Sequence, residues 1–222
     1  MPSASTRAFI DDSIDPPVRG FLHTPETSNN DGLILAHGAG SNAQSPLLAA
    51  LAGTFCDAGC CVLRCDLPFR QSRPYGPPGP GDGARDRTGL KNAVAAMKKV
   101  AAGRIFLGGH SYGGRQASIL CAEEPDIACG LLLLSYPLHP PRKPEQLRTQ
   151  HFTNLRTPTL FVEGTRDPFG SIAEIEQALK LVRGNTKIVV VDGAGHDLGF
   201  KGKARAGLPI EVVAEFQELF RK

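Results

Sequence analysis

The 222 residues are 41% hydrophobic and 21% charged, with a formal net charge of +3, which is the make-up of one ordinary globular domain with a substantial core. The charge is mild and comes without a basic run or an interleaved aromatic stripe, which argues against nucleic acid as a partner. No stretch approaches the roughly 18 apolar residues of a membrane helix, and residues 1–7 do not lead into the apolar core of a signal peptide, so a soluble cytoplasmic protein without membrane contact is expected.

Residues 9–30 read as irregular, broken by Pro16-Pro17 and a turn at 24–31, around one short strand at Val18-Arg19-Gly20-Phe21-Leu22. Leu33-Ile34-Leu35-Ala36 is a short apolar strand that runs into His37-Gly38-Ala39-Gly40. Ser45 followed by Pro46 predicts a helix start. Leu47, Leu48, Leu51 and Phe55 form the apolar face of that helix, and Gly59 ends it. Cys60-Cys61-Val62-Leu63-Arg64-Cys65 is the next strand.

From Asp66 to Arg87 prolines alternate with glycines and charges, which predicts a long loop. Thr88 is the expected cap of a helix carrying Leu90, Val94, Met97 and Ala101 on one face. Arg104-Ile105-Phe106-Leu107 then leads into Gly108-Gly109-His110-Ser111-Tyr112-Gly113-Gly114, and a helix follows over 115–122 until Glu124-Pro125 stops it. This strand, sharp turn and helix give Gly-x-Ser-x-Gly its mechanical meaning: the turn lifts the serine hydroxyl above the sheet edge, and only glycines let strand and helix come so close.

Gly130-Leu131-Leu132-Leu133-Leu134-Ser135 is a strand covered on both faces. A second proline cluster, Pro137 to Pro144, leads through a short helix towards Arg156. Thr159-Leu160-Phe161-Val162-Glu163 is a strand ending at Gly164-Thr165-Arg166-Asp167. Ser171 and Glu174 form a capping box ahead of Ile172, Ile175, Leu179 and Val182. Lys187-Ile188-Val189-Val190-Val191 ends at Asp192-Gly193-Ala194-Gly195-His196, and a helix from about Pro209 to the C-terminus closes the chain. At least five strand–helix alternations imply a mostly parallel sheet with helices on both faces.

Six cysteines include no Cys-x-x-Cys and no partnering His-x-x-x-His. Reduced structural thiols are expected rather than zinc ligands or disulfides.

In such a sheet, ligands bind beyond the carboxyl ends of the strands. Ser111, Asp167 and His196 all follow strand ends, in the chain order that a nucleophile elbow requires. Serine needs an adjacent base to attack at neutral pH. His196 fills that role, with Asp167 fixing its tautomer and stabilising the imidazolium. Asp197 adjoins the histidine too closely to fold back onto its ring, and Asp192 precedes the loop. The backbone N–H of Tyr112 and that of Ala39 are the expected oxyanion donors. His37 and His110 are expected to be structural hydrogen-bonders. Phe69, Tyr75 and Leu138, with Tyr112, are candidate pocket-lining residues. Arg70, Arg73, Arg142 and Lys143 admit two readings, attraction of an anionic acyl group or plain surface charge.

These motifs resemble those of α/β-hydrolases from about Leu33 to His196. Asp66-Leu67-Pro68-Phe69-Arg70-Gln71-Ser72 resembles the family's Asp-x-x-Gly-x-Gly-x-Ser stretch, with Phe69 and Gln71 in place of glycines. Residues 35–41 and 135–141 are similar to a small dienelactone-hydrolase-like group related to a testis-expressed protein and to a subunit of a chromatin acetyltransferase complex. The resemblance implies a single-domain α/β-hydrolase fold over 1–222 with a minimal lid, since only about twenty residues separate the strand ending at Tyr136 from the next. Dienelactone hydrolases carry a cysteine nucleophile where this chain has Ser111. The implied activity is cleavage of a small-molecule ester or thioester through an acyl-enzyme, with no metal or organic cofactor. The chromatin-complex resemblance supplies the alternative, a binding or scaffold protein that keeps the fold without useful turnover.

Overall fold

Apolar strand residues that alternate between two covered faces dictate the architecture of the computed structural model, which describes residues 4–200 and 207–221. Residues 1–3, part of the N-terminal segment considered above, and Lys222, the expected end of the last helix, lie outside the described residues. The strands are β1 (Ser5–Asp11), β2 (Val18–Thr24), β3 (Gly32–Ala36), β4 (Cys61–Cys65), β5 (Ile105–His110), β6 (Gly130–Leu134), β7 (Thr159–Gly164) and β8 (Thr186–Val191). They form one sheet in the order β1-β2-β4-β3-β5-β6-β7-β8. β1 and β2 pair antiparallel, β2 joins β4 antiparallel, and every pairing from β4 to β8 is parallel.

Successive strand residues bury into opposite layers, as a period of two requires. Ile34, Leu63, Leu107, Leu131, Leu133 and Phe161 pack with Leu90, Val94, Met97 and Leu120 on one side. Leu33, Leu35, Val62, Phe106, Leu132 and Leu160 pack with Leu48, Leu51, Val212 and Phe216 on the other. The helices α3 (Asp82–Lys98) and α4 (Tyr112–Glu123) therefore cover the first face, and α1 (Pro46–Asp57) and α6 (Leu208–Leu219) the second. A short α2 (Pro68–Ser72) and α5 (Ile172–Leu179) complete the set. Among the described residues no helix is long and apolar enough to cross a membrane.

Three local features differ from the sequence expectation. β1 is absent from the sequence expectation, and its end, residues 9–11, falls in the stretch read as irregular. Its residues are mostly exposed, so no apolar pattern marks it, and it is held by backbone pairing over seven positions with β2. The stretch expected to be a loop from Asp66 to Arg87 contains α2 and the first turn of α3. Pro68 sits in the first turn of α2, where a missing N–H costs nothing, and Asp82 Oδ2 accepts the Gly79 N–H at 2.7 Å where α3 begins. Thr88 is thus inside α3, with its hydroxyl donating to the Ala84 carbonyl at 3.2 Å. Ser45 occupies the N-cap of α1 but its side chain makes no capping bond. The Ser171–Glu174 capping box is complete. All six cysteines are unpaired, five of them buried.

The chain passes from β3 outward to β4, then crosses back over β3 to β5. The connections leaving β3 and β5 therefore diverge, and the gap between them is the switch point at which open α/β sheets bind ligands. That gap is where the serine turn sits.

Candidate active site

Ser111 follows β5 directly and caps α4, with φ 51° and ψ −116°. A non-glycine residue in that region is strained and persists only where its surroundings over-determine it. Here the Ser111 N–H donates to the Leu134 carbonyl at 2.8 Å, and its own carbonyl accepts the Arg115 N–H at 2.9 Å. The glycines around it permit close packing. A methyl group on Gly113 would lie 2.6 Å from the His37 carbonyl oxygen, and one on Gly109 would lie 2.3 Å from that of Ala36.

The hydroxyl of Ser111 is 2.8 Å from His196 Nε2. His196 Nδ1 is 2.7 Å from Asp167 Oδ2. Asp167 is almost fully enclosed, and its other oxygen accepts the Phe169 N–H at 2.8 Å. Because an ionised carboxylate only accepts, Nδ1 carries the proton and Nε2 is left to accept from the serine. The Phe169 ring lies against the imidazole with centroids 4.2 Å apart. Asp192 Oδ1 accepts instead from the Thr165 hydroxyl at 3.3 Å, and Asp197 Oδ1 accepts the Gly199 N–H at 3.0 Å.

The two expected oxyanion donors border the same cavity, of about 540 Å³, as Ser111 and His196. The Tyr112 amide is the first of α4 and so has no acceptor within its helix. Ala39 lies on the β3–α1 loop, and its carbonyl is turned away to accept Arg70 Nη2 at 2.7 Å. Arg70 also donates from Nε to the Ser41 carbonyl at 2.8 Å and from Nη2 to that of Gly76 at 2.9 Å. It is a buried tie for this loop rather than a surface charge or an anion receptor.

Both flanking histidines hydrogen-bond as expected. His37 Nδ1 donates to the Gly38 carbonyl at 2.8 Å and Nε2 accepts the Leu67 N–H at 3.1 Å. His110 Nε2 donates to the His196 carbonyl at 2.7 Å, tying the histidine loop to β5. Burial pushes the His110 pKa down to about 4.

The chain belongs to the α/β-hydrolase family. The family model described as "Alpha/beta hydrolase domain" matches residues 29–215. The α/β-hydrolase chain is similar to dienelactone hydrolase from Anabaena variabilis, at 21% identity and TM-score 0.75, covering 99% of this chain and 98% of that one. It is similar to Est1E from Butyrivibrio proteoclasticus at 21% identity and TM-score 0.72, with both chains covered completely at 100%. It is also similar to an alpha-beta serine hydrolase homologue from Coxiella burnetii at 17% identity and TM-score 0.75, covering 94% of this chain and 96% of that one. At these identities the likeness is one of fold.

The pocket-lining expectation needs correction in this α/β-hydrolase. Phe69 and Leu138 are core residues, 2% and 0% exposed, and Tyr75 is 85% exposed; none of the three borders the cavity. Phe69 fails to reach it because its ring packs edge-on beneath Tyr112, with centroids 5.6 Å apart. Leu138 is covered where the following loop folds back, its carbonyl accepting the Arg148 N–H at 2.8 Å. Both proline-rich connections do flank Ser111, through Pro77 and Pro78 on one side and Pro137 and Arg148 on the other. Of the four cations singled out in the sequence, Arg73 pairs with Asp82, Arg142 and Lys143 are exposed, and none borders the cavity.

Two buried carboxyls escaped sequence reasoning. Asp86 accepts the Tyr112 hydroxyl at 2.6 Å and the Phe69 N–H at 3.0 Å, locking the residue after the serine to α2 and α3. Only its place on the apolar side of α3 could have signalled this. Glu163, at the end of β7, accepts the Tyr136 N–H on Oε1 at 2.8 Å, while Oε2 is enclosed with no partner among the described residues. Burial, with the nearby Asp167 charge, raises the Glu163 pKa well above its ordinary 4.5, so the folded protein holds this proton longer than the unfolded chain. A group of that kind costs stability as pH rises above the unfolded value. Glu163→Gln should therefore be more stable than wild type at pH 8, with a smaller advantage at pH 5, in urea unfolding. An advantage equal at both pH values would mean that Glu163 is ionised in the folded protein.

Proposed function

We propose that this α/β-hydrolase is a serine hydrolase that cleaves carboxylic ester or thioester bonds through an acyl-enzyme. The observation that carries the reading is the continuous hydrogen-bonded chain Ser111–His196–Asp167, with the serine facing a cavity at the switch point. In the first step Ser111 Oγ attacks the carbonyl carbon while His196 Nε2 takes its proton. Asp167 holds the imidazolium that forms. The oxyanion of the tetrahedral intermediate accepts from the amides of Tyr112 and Ala39, an interaction worth roughly 3–4 kcal/mol per donor. His196 then protonates the leaving alcohol or thiol, and water repeats the sequence to release the acid.

The six unpaired cysteines suit a reducing compartment and support a cytoplasmic assignment. The test is a panel of ester and thioester substrates of graded acyl length, with acid release followed at neutral pH. Saturable turnover of at least one member is expected; none across the panel would contradict the proposal.

A further inference from the structure

Two arginines that border the cavity have no ion-pair partner among the described residues. Arg115 lies one helical turn beyond Ser111 on α4, and Arg148 borders the same cavity from the β6–β7 connection. The backbone of Arg148 is pinned at both ends, its N–H to the Leu138 carbonyl at 2.8 Å and its carbonyl to the Tyr136 hydroxyl at 2.6 Å. Its guanidinium spends one donor on the Pro137 carbonyl, Nη1 to oxygen 3.1 Å. Arg115 Nε is enclosed and has no hydrogen-bond partner among the described residues.

The arginines elsewhere in the fold that hold a carboxylate or a set of carbonyls show what satisfies the side chain when it is not left to a ligand. Arg19, Arg73, Arg85, Arg87 and Arg104 each pair with a carboxylate, and Arg70 is spent on backbone carbonyls. Among the described residues Arg115 and Arg148 have no ion-pair partner, and residues 1–3, 201–206 and 222 include no Asp or Glu. Burial and the Arg115 charge both push the Arg148 pKa down. His151 beside them is pushed down to about 4 by burial and by the Arg115 and Arg87 charges, so it adds no positive charge at neutral pH. Asp197 borders the same cavity from the histidine loop. Two like charges bordering one cavity, neither with an ion-pair partner among the described residues, cost free energy that an anionic occupant offsets.

We propose that Arg115 and Arg148 form an anion subsite next to Ser111, and that the substrate is an ester or thioester carrying a carboxylate or phosphate group. This deepens the serine-hydrolase reading above and rests on it. Guanidinium groups are suited to the task because their fixed fork binds planar or tetrahedral oxyanions through paired charge-assisted bonds.

The experiment compares three 4-nitrophenyl esters of similar chain length: the neutral hexanoate, the adipate monoester and the 5-phosphonopentanoate. Wild type should favour at least one anionic ester over the hexanoate by about tenfold or more in kcat/KM, and that preference should fall as salt is added. The carboxylate and phosphonate arms show which oxyanion the subsite takes. R115Q and R148Q should each lower the anionic-to-neutral ratio by about tenfold. A wild-type preference for the hexanoate, or a ratio unmoved in both variants, would overturn the subsite. Should either variant fail to fold, competition by free adipate against hexanoate hydrolysis in wild type decides instead, with no inhibition counting against the proposal. Calorimetric titration of Ser111→Ala with each of the three esters separates the two readings, the subsite requiring tighter binding of an anionic ester than of the hexanoate. Such binding without wild-type turnover would remove the hydrolase assignment and leave the subsite. Turnover that favours the neutral ester would do the reverse.

Discussion

Ser111→Ala should lower ester turnover by on the order of 10⁴-fold or more. Loss of the hydroxyl removes the atom, 2.8 Å from His196 Nε2, that forms the acyl bond in the proposed route. The cavity, the amides of Tyr112 and Ala39, and the Asp167–His196 pair all remain, so the residual rate reports what binding and the oxyanion donors achieve alone. Alanine must still adopt the φ of 51° imposed by the elbow, so the variant keeps that strain and its stability should lie within about 1 kcal/mol of wild type. Initial rates with the best substrate of the panel, alongside urea unfolding, measure both quantities. A loss of only a few-fold in a folded variant would point to another nucleophile.

Asp167→Asn should cost about 10⁴-fold in kcat, although the side chain changes by a single atom type. The amide oxygen can still accept the Phe169 N–H that Asp167 Oδ1 accepts at 2.8 Å, so the loop geometry has no cause to move. The amide nitrogen then donates to His196 Nδ1, which forces the ring proton onto Nε2. That nitrogen now faces Ser111 as a donor and cannot take its proton. The charge that stabilises the imidazolium is lost as well. Steady-state kinetics decide the matter: a loss shared between kcat and kcat/KM is expected, whereas a change confined to KM would assign Asp167 to substrate binding.

The sheet was legible because a strand covered on both faces must be apolar throughout. Leu33–Ala36, Leu131–Leu134 and Leu160–Val162 carry that signature, and each is fully buried. β1 lacks it, since an edge strand held by backbone pairing needs no apolar face. The positions of Ser111, Asp167 and His196 could be anticipated because a parallel sheet delivers its strand ends to one edge. The cavity wall could not. Phe69 and Leu138 are apolar enough to line a pocket, but the core claims residues of that kind first, and prolines 77, 78 and 137 form the wall instead. Arg70 reads like surface charge in a proline-rich stretch, yet four backbone carbonyls accept its donors. Contacts between residues about thirty positions apart, such as Arg70 to Ala39, leave no local trace in sequence.

The central claim is that Ser111 is an activated nucleophile. Treatment of the folded protein with a fluorophosphonate probe, followed by peptide mapping, tests it most directly. One adduct on Ser111, absent from the Ser111→Ala variant, is the predicted result. A folded protein that takes up no probe, or takes it up equally without Ser111, would contradict the account.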